Sequence, residues 1–401
     1  MAQAPSLESA VPTQWSSAGE PIAGDETREV APNLPAGLPR GLRNYWYPVL
    51  QSEDLPGGKA IGFMVLGEPL VAWRDAAGKP CVARDRCPHR SIKLSVGRVF
   101  EGHLQCILHG LRFNGAGQCT MVPWEGDEQD RKQKAPSLVA YPAQELGGYI
   151  WAYLGDAKAF PAPPLEREVP EELSKPDEFI WFRLPTEVWK ANWLLAVDGS
   201  DGFHAVVLHA SSQAVTEKTW TGGNAEHSEV PLSERRMKIV KTSHGIRGVS
   251  LDAEGKALHH GHFTVDVKGD RFSLPCIHTN PITPAPGAPA YTSRLWQFAI
   301  DEHRTQIMRY AVWRARTEQE RKDAERVFHD LALPRLKKVS AEDAFAAEAQ
   351  GDVVVARQQE RLMSPDVDVV KVRRLISKAF LSPFSERQRV AISEGALLYP
   401  L

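Results

Sequence analysis

Cys87-Pro88-His89, followed after sixteen residues by Cys106-Ile107-Leu108-His109, decides how the first half of this chain is read. Each segment offers one thiolate and one imidazole from a short loop. A [2Fe-2S] cluster with mixed ligands uses that set: one iron takes both thiolates and the other both imidazoles. Neutral His in place of charged Cys makes such a cluster easier to reduce than an all-Cys one. A Cys2His2 zinc site would use the same four donors. Zinc ligand pairs usually sit about two to four residues apart, however, and the Cys87/His89 pair does not, so the spacing favours the cluster.

The other cysteines, Cys81, Cys119 and Cys276, form no spacing pattern and read as small buried or edge residues. Five cysteines in 401 residues make no disulfide framework, which fits a reducing cytoplasm. The opening MAQAPSLESAVPTQW has neither a basic nor an apolar region, and no later stretch is an uninterrupted apolar run long enough to span a bilayer. Neither export nor membrane insertion is expected. A net charge of -2 with 24% charged residues argues against nucleic acid as a principal partner.

Residues 1–40 are rich in Pro, Ala, Ser and Glu without apolar periodicity and read as a flexible leader. Order is expected from Asn44-Tyr45-Trp46-Tyr47-Pro48-Val49. Short strand-like runs follow, Gly62–Leu66, Leu70–Trp73 and Tyr149–Tyr153, broken by Gly, Pro and Asp turns. The cluster loops belong to this all-β segment. Phe160-Pro-Ala-Pro-Pro164 reads as a linker. Beyond it Phe179–Arg183, Met237–Val240, Ser293–Phe298 and Gln306–Tyr310 alternate apolar and polar residues, as a sheet with one covered face should. Helices are expected at 201–210, 317–333, 343–350 and 366–379. Strands in runs and helices in runs imply an α+β fold with an antiparallel sheet.

A second metal site is expected in Asp201-Gly-Phe-His204-Ala-Val-Val-Leu-His209. Positions five apart on a regular helix point about 140° away from each other, so a helix end or a local widening is needed to turn both imidazoles to one ion. Two His and one carboxylate on one face of an iron leave positions open for dioxygen, as in non-haem Fe(II) oxygenases. A stray pair of surface His is the alternative.

Lys190-Ala-Asn192-Trp193 followed by Asp201-x-x-His204-x4-His209, downstream of the cluster motif, resembles the terminal oxygenase α-subunits of Rieske non-haem iron ring-hydroxylating oxygenases. The likeness runs from about residue 40 to the C-terminal helices, and within that family the chain looks most like the carbazole dioxygenase type. The resemblance implies a Rieske [2Fe-2S] domain at 41–156, with Cys87, His89, Cys106 and His109 holding the cluster. It implies a catalytic domain at 157–401, an antiparallel sheet covered by helices in the helix-grip manner. His204 and His209 would hold a mononuclear Fe(2+). Ser340-Ala-Glu342-Asp343 resembles the family's acidic pair, and the match makes Asp343 the third ligand, with Glu342 and Asp352 as alternatives. Ser340 with an acidic residue three later also reads as a capping box opening a helix. By the same resemblance Asp201 bridges a cluster His and His204 across a subunit boundary in a homotrimer; a carboxylate favoured by a helix N-terminus is its plainer reading.

The implied activity is oxygenation of an aromatic or heteroaromatic compound with O2, as a dioxygenation to a diol; single hydroxylation or O- or N-demethylation is the alternative, and electron transfer without oxygenation a more distant one. The chain has no nucleotide-binding fingerprint, so electrons from NAD(P)H would arrive through a ferredoxin or reductase, steered by Arg84, Arg86, Arg90, Lys93, Arg98 and Arg112 around the cluster motif. Phe203, Val207, Leu208, Trp296 and Phe298 are candidates for an apolar substrate pocket. His259, His260 and His262 read as strand residues that could contact a polar substituent.

Overall fold

The computed structural model describes residues 40–123, 135–199, 204, 208–209, 236–242, 245–251, 272–282, 284, 288–363 and 366–381, with only the backbone of 236–251. Eleven strands make up the first half: β1 (Tyr45–Gln51), β2 (Ile61–Val65), β3 (Glu68–Arg74), β4 (Pro80–Arg84), β5 (Arg98–Phe100), β6 (His103–Gln105), β7 (Arg112–Phe113), β8 (Cys119–Met121), β9 (Ala140–Tyr141), β10 (Ala143–Leu146) and β11 (Tyr149–Leu154). They form three antiparallel sheets, ordered β1-β11-β10, β2-β3-β4-β9 and β5-β6-β7-β8. Val71, Trp73, Ala83, Leu104 and Phe113 pack with Cys87 and Cys106 in one buried cluster, so the thiols sit at the edge of a core.

The second half is a six-stranded antiparallel sheet. It runs β12 (Phe179–Arg183), β19 (Thr305–Arg314), β18 (Tyr291–Ala299), β17 (Ile277–Ile282), β16 (Phe272–Ser273), and β13 (Glu187–Trp189) also pairs with β19; β14 (Arg236–Thr242) and β15 (Gly245–Leu251) form a separate hairpin. The expected strands fall inside these spans. The expected one-sided alternation does not hold for β18 and β19, which are buried on both faces along most of their length.

The outer face of that sheet meets the first half through aromatic rings. Tyr149 and Trp151 of β11 lie edge-on to Trp296 with centroids 5.5 and 5.4 Å away, Trp296 stacks on Tyr310 at 5.3 Å, and Tyr47 packs on Phe298 at 5.5 Å. Beside them, buried Glu172 accepts hydrogen bonds from Arg294 (2.9 Å) and the Tyr310 hydroxyl (3.0 Å). Backbone bonds from Leu66 N to Ala299 O and Gly67 N to Ile300 O, 2.7 and 2.8 Å, continue the joint. Trp296 and Phe298 therefore serve this seam and not a substrate pocket.

The inner face, carrying Tyr291, Ser293, Leu295, Ile307, Arg309, Ala311 and Trp313, is covered by helices. α1 (Trp193–Asp198) is capped by Asn192, whose Oδ1 accepts from Leu194 N at 3.0 Å while its Nδ2 donates to Glu302 O at 2.7 Å, tying the helix to the β18–β19 turn. α2 (Glu318–Val327) starts in a Thr317/Glu320 capping box. A π-turn at Phe328–Ala332 then leads without a break into α3 (Leu333–Ala349), followed by α4 (Val353–Gln359), capped by Asp352, and α5 (Val367–Leu381).

Three helix expectations need correction. Residues 334–342 are helical: Pro334 sits at the start of α3 directly after the π-turn, a widening that accommodates the ring and the missing N–H. Ser340 consequently opens no helix. It is fully buried inside α3 and gives its hydroxyl to Glu187 Oε2 at 2.7 Å. Helices α1 and α4 were not expected. The stretch 201–210 lies mostly outside the described residues, as do Phe203, Val207, His259, His260 and His262. No helix among the described residues is long and apolar enough to cross a membrane.

Deleting the indole at the centre of the seam leaves a large cavity between Tyr310, on which it stacks, and the edge-on rings of Tyr149 and Trp151. Trp296→Ala is expected to lower the free energy of unfolding by about 3–5 kcal/mol, and Trp296→Phe by clearly less, as measured by urea denaturation followed by circular dichroism.

Candidate metal centres

The two Cys-bearing loops are built alike. Cys87 N donates to Ile92 O (2.8 Å) and Ser91 N to Cys87 O (2.8 Å); Cys106 N donates to Leu111 O (2.9 Å) and Gly110 N to Cys106 O (3.0 Å). The residue four after each Cys has positive φ, 59° at Ser91 and 74° at Gly110. Glycine takes that conformation freely, whereas serine does so at a cost of about 1–2 kcal/mol. The first loop is held in compensation by buried Asp85, which accepts from Leu94 N, Ser95 N and Ser95 Oγ at 2.6, 2.7 and 2.6 Å. At Gly110 a Cβ would approach Pro123 Cγ to 3.1 Å.

This double turn brings the four predicted donors together. Cys87 and Cys106 are buried; His89 and His109 lie outside them, their Nδ1 atoms 3.0 Å apart and their ring centroids 4.6 Å apart. Burial pushes the Cys87 thiol up to about 11, with Cys106 adding to the rise. Two soft thiols inside and two imidazole nitrogens outside, converging from separate loops, suit a [2Fe-2S] cluster with two Cys and two His ligands. All five cysteines are free thiols.

Around this tip Arg86, Arg90 and Arg98 are exposed. Arg84, by contrast, is bound to Glu68 at 2.9 Å, and Arg112 lies over the Phe100 ring at 3.8 Å. Exposed Val96, Phe100, Ile107 and Leu108 are interleaved with the charges.

In the second half, one ligand atom each from His204, His209 and Asp343 fall within 4.8 Å of one another. Asp343 Oδ1, on α3, is 3.4 Å from His204 Nε2 and 3.3 Å from His209 Nε2. The spacing of five is accommodated by a helical bond from Leu208 N to His204 O (2.6 Å) with His209 in the turn beyond it, which leaves the two rings 5.2 Å apart and nearly perpendicular. Burial alone would raise the Asp343 carboxyl, but the two imidazoles that face it outweigh burial and hold the group well below the usual carboxylate range. A charged carboxylate and two imidazoles on one side of a point suit a divalent iron with positions left open.

Glu342 has a different job. Its Oε2 lies 2.7 Å from His209 Nδ1, so the carboxylate faces the nitrogen turned away from Asp343. Asp352 is spent on capping α4, accepting from Val354 N and Val355 N at 2.9 and 3.0 Å. Of the three candidate carboxylates, Asp343 is the one grouped with both imidazoles, while Glu342 meets only the far side of His209. Sequence reading also missed Asp198, at the end of α1 just before this segment. It is clamped by Arg373 of α5 through two bonds, 2.9 and 2.6 Å, and by Arg357 of α4 at 3.3 Å. The order Asp-Gly-Ser-Asp concealed it, because one acidic residue there had already been given a role. Asp201 lies outside the described residues.

Two family descriptions match the chain: "Rieske [2Fe-2S] domain" over residues 45–139 and "Homotrimeric ring hydroxylase" over 153–380. The 3-chlorobenzoate-3,4-dioxygenase oxygenase subunit of Comamonas testosteroni is 36% identical over 177 residues, 43% of this chain and 39% of that protein, so the match spans less than half of that relative's length. The terminal oxygenase component of carbazole 1,9a-dioxygenase from Metapseudomonas resinovorans is 26% identical over 369 residues, covering 87% of this chain and 93% of that one. In fold, the chain matches the terminal oxygenase of carbazole 1,9a-dioxygenase from Nocardioides aromaticivorans with a TM-score of 0.64 at 19% identity, over 84% of this chain and 95% of the other. With both halves matched and both ligand sets assembled, this chain belongs to the homotrimeric ring hydroxylase family and carries a Rieske [2Fe-2S] domain.

Proposed function

We propose that the protein is the terminal oxygenase of a multicomponent Rieske system that oxygenates an aromatic or heteroaromatic compound. The observation that carries this reading is the convergence of His204, His209 and Asp343 within 4.8 Å in a chain that also gathers Cys87, His89, Cys106 and His109. In this reading the four cluster-loop residues hold a [2Fe-2S] cluster in a domain spanning 41–156, and the trio holds an Fe(2+) in a catalytic domain spanning 157–401. With both groups bound, the cluster supplies single electrons and the iron supplies reductive activation of dioxygen beside the substrate.

The chain's own residues do the rest. His209 donates Nδ1–H to Glu342, which fixes its tautomer and leaves Nε2 as the ligand atom. Asp343 contributes a negative charge that offsets part of the ion's. Exposed Arg86, Arg90 and Arg98, with Ile107 and Leu108 beside His109, form the face on which an electron-donating ferredoxin or reductase docks. Solved relatives include complexes of a carbazole 1,9a-dioxygenase oxygenase with its ferredoxin. Assembly is as a homotrimer and the compartment is the reducing cytoplasm, in keeping with five cysteines of which none is in a disulfide. Asp201, three residues before His204, is proposed on resemblance as the carboxylate linking the two metal centres. Dioxygenation is favoured by the carbazole and chlorobenzoate dioxygenases among the relatives. Products formed under 18-O2 from a panel of aromatics test it: two labelled atoms in the aromatic product support dioxygenation, one labelled atom in the aromatic product or in released formaldehyde supports monooxygenation or demethylation, and no label in either removes the oxygenase reading.

Metal analysis of the purified protein is expected to find about three irons per chain, two from the cluster and one mononuclear. Cys106→Ser should abolish the visible colour and the reduced-state paramagnetic resonance, while His204→Ala and Asp343→Ala should remove only the mononuclear iron and leave that signal intact. Unchanged spectra in Cys106→Ser would refute the cluster assignment. Glu342→Gln should weaken mononuclear iron binding by about 10–100-fold in a chelator competition, with the cluster spectrum unaltered. Asp201→Asn should retain both metals yet slow single-turnover oxidation of the pre-reduced protein by orders of magnitude, because an amide keeps the shape and changes charge and donor pattern; near-normal rates would leave Asp201 outside the electron path.

A further inference from the structure

The inner face of the sheet, which α3 covers, holds polar groups that its apolar neighbours do not satisfy. Arg309 of β19 is 4% exposed, and among the described residues its guanidinium makes one long hydrogen bond, from Nη2 to Ser340 Oγ at 3.4 Å; its Nε has no acceptor among them, and it forms no ion pair with any of them. The Ser340 hydroxyl in turn donates to Glu187 Oε2 at 2.7 Å. On the adjacent strand the hydroxyls of Tyr291 and Ser293 are buried with no partner among the described residues. The register puts Leu295 opposite Arg309 and Ser293 one step along the same face, opposite Ala311 and Asn280. A second buried arginine, Arg335 at the start of α3, acts with Arg309 on the Tyr291 hydroxyl: burial raises that hydroxyl to about 12 and both guanidiniums oppose the rise. Arg335 itself is pushed down to about 10 by burial.

Buried polar atoms are nearly always hydrogen-bonded, and a buried guanidinium is costly unless a matching anion or acceptor completes it. The Arg309–Ser340 contact lies three residues before Asp343 on α3, about 4.5 Å along the helix axis. That offset is comparable to the length of a substituted benzene ring.

We propose that Arg309, with the Tyr291 and Ser293 hydroxyls, forms an anion subsite that holds the carboxylate of an aromatic acid and directs its ring toward His204, His209 and Asp343. The planar guanidinium offers adjacent N–H donors matched to a carboxylate, the hydroxyls supply donors on the neighbouring strand, and Arg335 adds to the field. This assigns the substrate class of the oxygenase site and so rests on the reading given above.

The test is equilibrium dialysis of the iron-loaded protein under anaerobic conditions with benzoate, phenylacetate and 2-naphthoate, each against its carboxamide. At least one acid is expected to bind ten times or more tightly than its amide. Arg309→Met should erase that preference by lowering acid affinity while amide affinity stays the same. Tyr291→Phe and Ser293→Ala, which keep nearly the same shape and retain the fold should Arg309→Met lose it, should each weaken the acid severalfold and spare the amide. The proposal is overturned if no acid outbinds its amide, or if the hydroxyl variants weaken acid and amide alike. Binding requires no turnover, so the two readings separate: oxygenation of neutral aromatics without acid selectivity would remove the subsite alone, and acid-selective binding with no oxygen incorporated from 18-O2 would remove the oxygenase reading and keep the subsite.

Discussion

The contact on which the architecture depends is the edge-to-face packing of Tyr149 and Trp151 against Trp296 and its partner Tyr310. A twisted antiparallel sheet has two faces, and in this chain one is committed to that aromatic seam. All four rings are almost wholly excluded from water, and burial pushes the Tyr149 hydroxyl far above its ordinary range. Each such ring buries roughly 150–250 Å2, enough to fix the sheet against the small sandwich that carries the cluster loops. Whatever chemistry the second half performs is thereby confined to the opposite face, beneath α3.

On that inner face, rigidity comes from polar ties rather than from more apolar surface. The carboxylate of Glu348 accepts from Lys190 N at 2.8 Å, Gln297 Nε2 donates to Ala196 O at 3.0 Å, and Asp198 is gripped by Arg373 and Arg357. These bonds hold α1, which leads into the His-bearing segment, to β18, α4 and α5, and hold Lys190, just ahead of it, to α3, which carries Asp343. Burial raises the Asp198 carboxyl while the two arginines pull it down, and the rise prevails. An ion pair so placed gains little net stability, since desolvation offsets much of the attraction. Its geometry nevertheless fixes the end of α1 against α4 and α5.

What could be read from the sequence, and what could not, follows from the range of the interactions. The cluster ligands were legible because their spacing is local: each loop closes on itself within five residues of its cysteine. The strands were legible from β-branched and aromatic runs. The direction in which β18 faces was not, because both of its faces are buried and carry large apolar residues; the packing of β11 makes Trp296 a seam residue. Ser340 misled for a similar reason. A serine three residues before an acid has the local form of a helix start, and only its hydrogen bond to Glu187, distant in sequence, shows it to be interior. Pro334 has the local form of a helix start, yet α2 runs into α3 through the π-turn that accommodates it, and that turn leaves no mark in composition.

Glu342 and Asp343 show how two adjacent carboxylates acquire different tasks. Successive residues on a helix point about 100° apart, so both cannot address one ion. His209 lies between them: its Nε2 faces Asp343 at 3.3 Å and its Nδ1 faces Glu342 at 2.7 Å. An imidazole ring holds its two nitrogens on opposite sides, and one ring therefore reads both carboxylates at once. The Glu342 contact requires the proton on Nδ1, which leaves the Nε2 lone pair directed at the point that Asp343 and His204 also face. Sequence pattern alone made either acid a candidate ligand; the helix turn and the side of His209 that each one meets favour Asp343 in the proposed site.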